Sequence, residues 1–496
     1  MSARPERAQH DALTSVLGGL AAEEPGAPEG ERRFVLEAQG LARAAAALGA
    51  AGGHFAGLFG CGPEPSAVVA VVAFRGELVE LRGRLDGERA YPSLAAATPA
   101  ALLPERELHD TTGLVPLGHP ELEPLLRPDA DRPQRRVAGP QTFLIPYGPI
   151  RSGVVEAMQF PIETGGEDVL AFGVRPFFKH RGLERRFAGM SLDHGAYLAE
   201  RVAGPEAVAH ARACARAAER AAGATVPPRA ERWRLVHAEL ERIAAHLDTG
   251  AKLAEDAALS VGAARLGALK EEVMRLRARL CGNRFGRGVV VPGGIRNEPL
   301  LVPAEVAAAL DALEADLRRD RRLLLGTASF VDRLVGSGTL AAETVTRFGG
   351  VGPVARACSL GIDARLERPY GSYPRLGFRI ARATAGDAMA RWEVRLQEID
   401  QSLHLIRQAL ESLDRLPPEL RVPVAGSGEA YGWVEAPSGE LVYRLRIEGS
   451  TVAEARIVPP ALRNWPLLSE SFRGDVLTDV AFVEHSFNLS PAGSDR

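Results

Sequence analysis

Cysteine is scarce in this chain. Among 496 residues there are only Cys61, Cys214, Cys281 and Cys358, so spread out that no CxxC pair exists. An iron–sulfur cluster needs grouped thiolates, so this chain is not expected to hold one. Scattered single cysteines read as reduced, buried residues. An excess of either charge is also missing: 60 basic side chains meet 63 acidic ones. That balance speaks against a nucleic-acid partner and against a disordered acidic tail. Long apolar runs are missing as well. The longest uncharged stretch, Ala44–Pro63, is rich in Ala and Gly rather than Leu, Ile and Val, so no membrane span is expected. The opening residues MSARPERAQHDALTSVLGG carry no apolar signal core. No GxGxxG follows a strand, so no Rossmann site for NADH is expected.

What is present is a globular composition, 46% hydrophobic and 25% charged, on a chain long enough for two or more cores. The fold class predicted is α+β. Residues 1–126 read as a small α/β sandwich: a helix at Leu41–Ala51, then strands Ser66–Phe74 and Gly76–Arg82 around an Arg-Gly turn. Residues 127–141 crowd Pro, Asp and Arg without periodicity and read as a linker. Residues 142–496 form the second domain. It opens with a β-hairpin, Thr142–Ile150 and Val154–Ile162, and an extended Asp168–Val174. Helices are expected at Pro205–Ala222, Arg229–Leu253, Ala258–Cys281, Pro303–Leu325 and Thr384–Leu416. The remaining residues are expected to return to strands, Leu441–Ile447 among them. A helical bundle with β-structure at both ends of its chain is the result.

A series of short strings carries a family resemblance. In order they are GPIRSGVVE (148–156), HRGLE (180–184), RVAGPEAVAH (201–210), AELERIAAHL (238–247), GGIRNE (293–298), GVGPVARACSLGIDAR (350–365), RPYGSY (368–373), EAPSGELVY (435–443) and the terminal SDR. From Gly148 to Arg496 the chain resembles the family that joins nickel–iron hydrogenase large subunits to the 49-kDa subunit of respiratory complex I. Further upstream, YPSL (91–94) and ERELHDTTG (105–113) resemble the signature ERExxDxxG of complex I's 30-kDa subunit. The two modules fused in this order are similar to the large subunit of formate-hydrogenlyase-type membrane hydrogenases.

The resemblance implies a remodelled site. It puts Ala203 and Glu206 where the family has its first pair of metal-binding cysteines, and Ser490 and Gly493 where it has the second. A nickel–iron centre needs four soft thiolates, and a methyl, a hydrogen, a hydroxyl and a carboxylate do not supply them. No metal is therefore expected. The complex I pattern is broken too. Its quinone-binding histidine is missing from Gly148–Gly153, and its partner tyrosine falls at about Gly204. The family's pocket arginine is Ser438 here, which implies a pocket floor without its fixed positive charge. Glu156 matches a proton-relaying glutamate, against the plainer reading of a hairpin carboxylate in solvent. Glu206 and His210, four apart, join it as candidate proton-relay groups. Ala203, Glu206, Ser438, Ser490 and Gly493 are expected to line the pocket. Glu184, Glu239, Arg242 and His246 also match family positions and read either as buried pairs holding the helices in register or as part of a charge relay, which the sequence does not separate. Glu484 and His485 face the pocket if the tail enters the core as a strand.

The function implied is that of a subunit in a membrane-associated, complex I-like oxidoreductase. Electrons would pass from a partner's iron–sulfur cluster to a quinone or similar acceptor, with no cofactor bound by this chain itself. The partners implied are an iron–sulfur subunit resembling complex I's 20-kDa subunit and antiporter-like membrane subunits. The chain would sit on the cytoplasmic face of the cell membrane through them. The alternative is a coupling scaffold whose pocket is vestigial.

Overall fold

The computed structural model describes residues 13–62, 64–126, 141–151 and 156–496. The expected linker, apart from Gln141, lies outside the described residues, as do Val154 and Val155 of the expected hairpin. The chain divides into two compact units, Met1–Arg132 with Thr346–Gly350, and Pro133–Val345 with Val351–Arg496.

The first unit holds a five-stranded sheet formed by β1 (Ala22–Glu24), β2 (Glu31–Glu37), β3 (His54–Gly60), β4 (Ala67–Phe74) and β5 (Glu77–Arg84), in the order β1-β2-β5-β4-β3, and a parallel pair, β6 (Ala90–Pro92) with β7 (Val115–Leu117). Every residue of β4 is buried, as an unbroken apolar run requires of a strand covered on both faces. Helix α1 (Ala38–Ala50) makes the crossover after β2, which runs parallel to β5. The signature strings are explained by hydrogen bonds. Glu105, on α2 (Leu102–Thr112), accepts from Ser93 Oγ at 2.5 Å, Leu94 N at 2.8 Å and Ala95 N at 3.1 Å. Asp110 accepts from the amides of Leu125 and Leu126, and Gly113 ends the helix at φ 72°. YPSL and ERExxDxxG are thus two halves of one buried bonding scheme.

The second unit begins with a sheet ordered β10-β9-β8, from β8 (Phe143–Tyr147), β9 (Phe160–Thr164) and β10 (Val169–Phe172). Tyr147 pairs with Phe160, so the paired strands Phe143–Tyr147 and Phe160–Thr164 are set back from the hairpin bounds expected, Thr142–Ile150 and Val154–Ile162. Helices α3 (Ala207–Ala222), α4 (Pro228–Asp256), α5 (Ser260–Cys281), α6 (Pro303–Leu325) and α7 (Ala388–Glu411) follow. Their ends obey local rules. Pro228 and Pro303 occupy first turns, and Gly223 and Gly282 close α3 and α5 with φ of 66° and 78°. Asp387 caps α7 by accepting from Ala390 N at 2.7 Å, which starts that helix four residues later than its apolar pattern suggested.

A three-stranded antiparallel sheet of long strands closes the core: β11 (Gly426–Ala436), β12 (Gly439–Gly449) and β13 (Thr451–Val458). Beyond it the expectation of further strands fails. The chain forms α8 (Pro460–Glu470), α9 (Val480–Phe487) and a last helical turn, Pro491–Ser494. Leu462, Trp465 and Leu468 recur at helical spacing behind Pro460, and all three are buried. Among the described residues, no helix is long and apolar enough to cross a membrane.

Candidate functional site

Three segments distant in sequence meet at the start of α3. Ala203 is extended, and the chain then makes a single 3-10 turn, Gly204–Glu206, before the helix proper. Glu206 therefore precedes the helix that carries His210 and does not share its regular face. The tail arrives alongside. A β-carbon on Gly493 would lie 3.9 Å from Ser490 Cβ and 4.0 Å from Ala203 Cβ. Ser438, at the turn between β11 and β12, closes the group: its N–H (3.0 Å) and its hydroxyl (2.5 Å) both donate to Glu206 Oε1. Ala203, Glu206, Ser438, Ser490 and Gly493 thus converge. A β-carbon on Gly204 would meet nothing within 4 Å, so one wall of this region is open.

Arg181, from the HRGLE string, ties the walls together. Its guanidinium donates to the carbonyls of Arg201 (2.9 Å), Val202 (2.6 Å) and Ala492 (2.5 Å), and its backbone N–H to Asp495 O (2.7 Å). Arg496 adds a second tie by donating to Glu184 Oε1 at 3.1 Å, while Glu184 also accepts from Ile457 N. The sequence reading passed over Arg181, Glu241, Tyr443 and Asp495. Each lies inside a quoted string, but their partners are far away in sequence, so only the fold reveals what they do.

The electrostatics separate the candidates. Burial raises the Glu206 carboxyl above its ordinary range, opposed by the two Ser438 donors and by Arg242 and Arg395. Glu241 reaches across from α4 to accept the amides of Val208 (2.8 Å) and Ala209 (2.9 Å) at the N-terminus of α3. Burial pushes Glu241 up to about 7, against Arg277 and those amides, and the nearby Glu206 raises it further. His210 is fully buried, with Nδ1 2.7 Å from Tyr443 Oη and Nε2 without a hydrogen-bond partner among the described residues. Burial, then the charges of Arg181 and Arg496, hold His210 down to about 3, so the ring is neutral. Asp495 is pushed up to about 7 by burial; Arg181 opposes this and the facing Glu156 adds to it. Glu156 itself is half-buried. Positive charge has not left the region with the family arginine: Arg242 and Arg395 act on Glu206, and Arg181 and Arg496 on His210.

The remaining candidates are engaged in ion pairs of their own. Glu484 accepts a two-pronged bond from Arg151 (2.6 and 2.7 Å), whose guanidinium stacks over Phe160. His485, on the helical tail, is engaged by Asp256 at 2.6 Å. Glu239, Arg242 and His246 belong to a buried ion network: Arg242 donates to Glu239 (3.1 Å), and His246 lies 2.8 Å from Glu398. Among the described residues, no group of three or more His, Cys, Asp or Glu is arranged to hold a metal ion.

Residues 263–424 match the family described as the 49-kDa subunit of respiratory-chain NADH dehydrogenase, and residues 44–140 match that of its 30-kDa subunit. The carbon monoxide-induced hydrogenase of Rhodospirillum rubrum is 32% identical, over 72% of this chain and 99% of the relative. Formate hydrogenlyase subunit 5 of Escherichia coli is 27% identical over 84% of this chain and 79% of the relative. Among solved structures, a chain of the membrane-bound sulfane sulfur reductase, an archaeal respiratory membrane complex, superposes with a TM-score of 0.67. It is 25% identical and is matched over 99% of its length by 72% of this chain.

Proposed function

Since the chain belongs to the family of hydrogenase large subunits and respiratory NADH dehydrogenase 49-kDa subunits, a family of oxidoreductase-complex subunits, we propose that it passes electrons to a quinone or quinone-like acceptor without a nickel–iron centre. The observation that carries the reading is the donor set where Ala203, Glu206, Ser438, Ser490 and Gly493 meet. It offers no thiolate, and its one carboxylate oxygen with protein partners is engaged by Ser438. Such a set does not fit a nickel–iron centre.

It does suit proton supply. Reduction of a quinone to a quinol takes two electrons and two protons. The electrons would come from an iron–sulfur cluster of a partner subunit, since this chain has no grouped cysteines. Glu206 is a buried carboxyl whose ionisation burial disfavours, against the two Ser438 donors and the charges of Arg242 and Arg395, with Oε1 bonded to Ser438. Glu156, beside Asp495, supplies the second carboxyl. The assembly we infer places this chain between an iron–sulfur subunit and membrane-embedded antiporter-like subunits, peripheral on the cytoplasmic face.

The test is purification of the intact complex, metal analysis, and reduction of decylubiquinone or menadione. The expected results are substoichiometric nickel, and turnover that falls about tenfold or more in Glu206→Gln and to a lesser degree in Glu156→Gln. Stoichiometric nickel, or equal rates in wild type and both variants, would overturn the assignment. A complex that reduces neither quinone leaves the chain as a scaffold.

A further inference from the structure

The strand β8 lies at an open edge of its sheet, ordered β10-β9-β8. Directly opposed residues of antiparallel strands share one face of a sheet. Phe143, Ile145 and Tyr147 of β8 oppose Thr164, Ile162 and Phe160 of β9. The three β9 residues are buried, and Trp465 of α8 packs near Phe160, with 6.5 Å between ring centroids. Their β8 neighbours on the same face are left uncovered: Phe143 is 62% exposed, Tyr147 41% and Ile145 37%. The apolar layer of this sheet thus runs on past what α8 covers. Ile150, three residues further along, is 91% exposed. Four of the thirteen exposed large apolar side chains among the described residues fall within positions 143–150, which makes a patch rather than scatter.

The patch is held in place. Arg151, next to Ile150, puts its guanidinium 4.9 Å from the Tyr147 ring centroid and makes a two-pronged bond to Glu484 on α9. The backbone that presents Ile150 is therefore anchored to the core. Pro146 decides what kind of occupant fits. It lies opposite Pro161, and neither can donate across the ladder. A pair without donors suits the non-hydrogen-bonded position of an antiparallel ladder, where amide positions turn away from the paired strand. The donor that Pro146 lacks is then missing from the open edge. Proline at an edge is a means by which sheets resist an added strand. The occupant packs onto the face instead, as α8 does on the neighbouring strands. Phe143, Ile145, Tyr147 and Ile150 carry no charge, so the surface that meets them is apolar too.

We propose that the exposed face of β8, with Ile150, is the docking surface for an apolar helix of a partner subunit, which lies beside α8 and completes the helical layer over this sheet. The inference rests on the chain being one subunit of a larger complex and is independent of the acceptor's identity. From Phe143 to Tyr147 the strand runs about 14 Å, a length that about two and a half helical turns cover.

The experiment uses the intact complex, purified through a tag on this chain. The photoreactive residue p-benzoylphenylalanine is installed at Ile150, the complex is irradiated, and the adduct is mapped by peptide mass spectrometry. The expected adduct joins position 150 to an uncharged helical segment of another subunit of the complex. Adducts only within this chain, to a second copy of it or to lipid overturn the proposal, and so does the absence of any adduct. A second arm introduces charge. With Phe143→Asp and Ile150→Asp combined, recovery of the cross-linked subunit should fall about tenfold or more. Val261→Asp, at an exposed apolar site on α5, should leave recovery within about twofold of wild type. Undiminished recovery from the double variant overturns the proposal. If the double variant does not fold, the photo-adduct decides alone. A chain that purifies without any partner removes the complex together with this contact; every other outcome leaves the quinone reading standing.

Discussion

Glu241 shows what a single buried carboxyl contributes to the chemistry around it. Its two oxygens cap α3 through the amides of Val208 and Ala209, Arg277 lies 3.7 Å away, and Glu206 is close enough to disfavour its ionisation. In the unfolded chain the group titrates near its ordinary 4.5; in the folded chain it titrates at about 7. Between these values the folded state keeps a proton that the unfolded state has released, so this group weakens the fold as pH rises through the window. Glu241→Gln is neutral at every pH and lacks this dependence. Relative to wild type, the variant should therefore gain stability between pH 5 and pH 8, by up to about 3 kcal/mol. Denaturant unfolding at several pH values measures it, and parallel curves for the two proteins would contradict the assignment. At this scale the sequence is partly legible. The string register placed Ala203, Glu206, Ser438, Ser490 and Gly493, and the fold brings them together. Glu241 and Tyr443 were not legible, because a carboxylate or phenol acquires its meaning from a partner tens or hundreds of residues away.

Between elements, α3 and β11 fit closely. The helix is built largely of alanine and the strand carries Gly426, Gly428 and Gly432. A β-carbon on Gly432 would lie 2.1 Å from Ala213 O and 2.5 Å from Ala217 N, and one on Gly428 would lie 2.6 Å from Ala221 O. Backbone meets backbone there, so Gly432→Ala must push the strand off the helix. The expected cost is about 1–3 kcal/mol. Gly267→Ala, on α5 where an added β-carbon meets nothing within 4 Å, should instead stabilise by about 0.5–1 kcal/mol. Thermal unfolding of the two variants checks both signs, and a Gly432→Ala protein as stable as wild type would refute the close-approach account. Alanine-rich periodicity made α3 readable as a helix, but nothing local says that its face receives bare backbone. The tail was misread for a related reason: Leu462, Trp465 and Leu468 have helical spacing, but the segment is short and lies between stretches that read as extended.

Across the second unit as a whole, charge is buried in a connected set rather than in isolated pairs. Arg356 reaches Glu398 (2.8 Å), Glu435 (2.8 Å) and Asp363 (3.4 Å), and Arg365 joins Asp363 to Glu239. Arg242 binds Glu239 and lies 3.5 Å from Glu398, which also meets His246. Burial works against the ionised Glu398, but Arg356, His246 and Arg242 outweigh it and hold the group well below the usual carboxylate range. The set fastens α4, α7 and β11 in one register. Glu398→Ala would take a shared carboxylate from Arg356, Arg242 and His246 and leave the buried set with excess positive charge, at an expected cost of about 3–5 kcal/mol. Glu314→Ala breaks a half-exposed contact to Arg407 and should cost less than about 1 kcal/mol. Chemical denaturation distinguishes the two, and comparable small losses would mean the network is not a fastening. The sequence indicated that Glu239, Arg242 and His246 would find partners inside the bundle. It did not say which, because Glu398, Asp363 and Glu435 come from segments that only the completed fold brings near.

The geometry of Arg181 bears on how this region moves. One side chain grips the carbonyls just before Ala203 and the one just before Gly493. Neither segment can then swing out by itself, because every displacement must be shared through the same planar group. Access from the tail side would release these carbonyls together, so the two walls should behave as a single hinged flap.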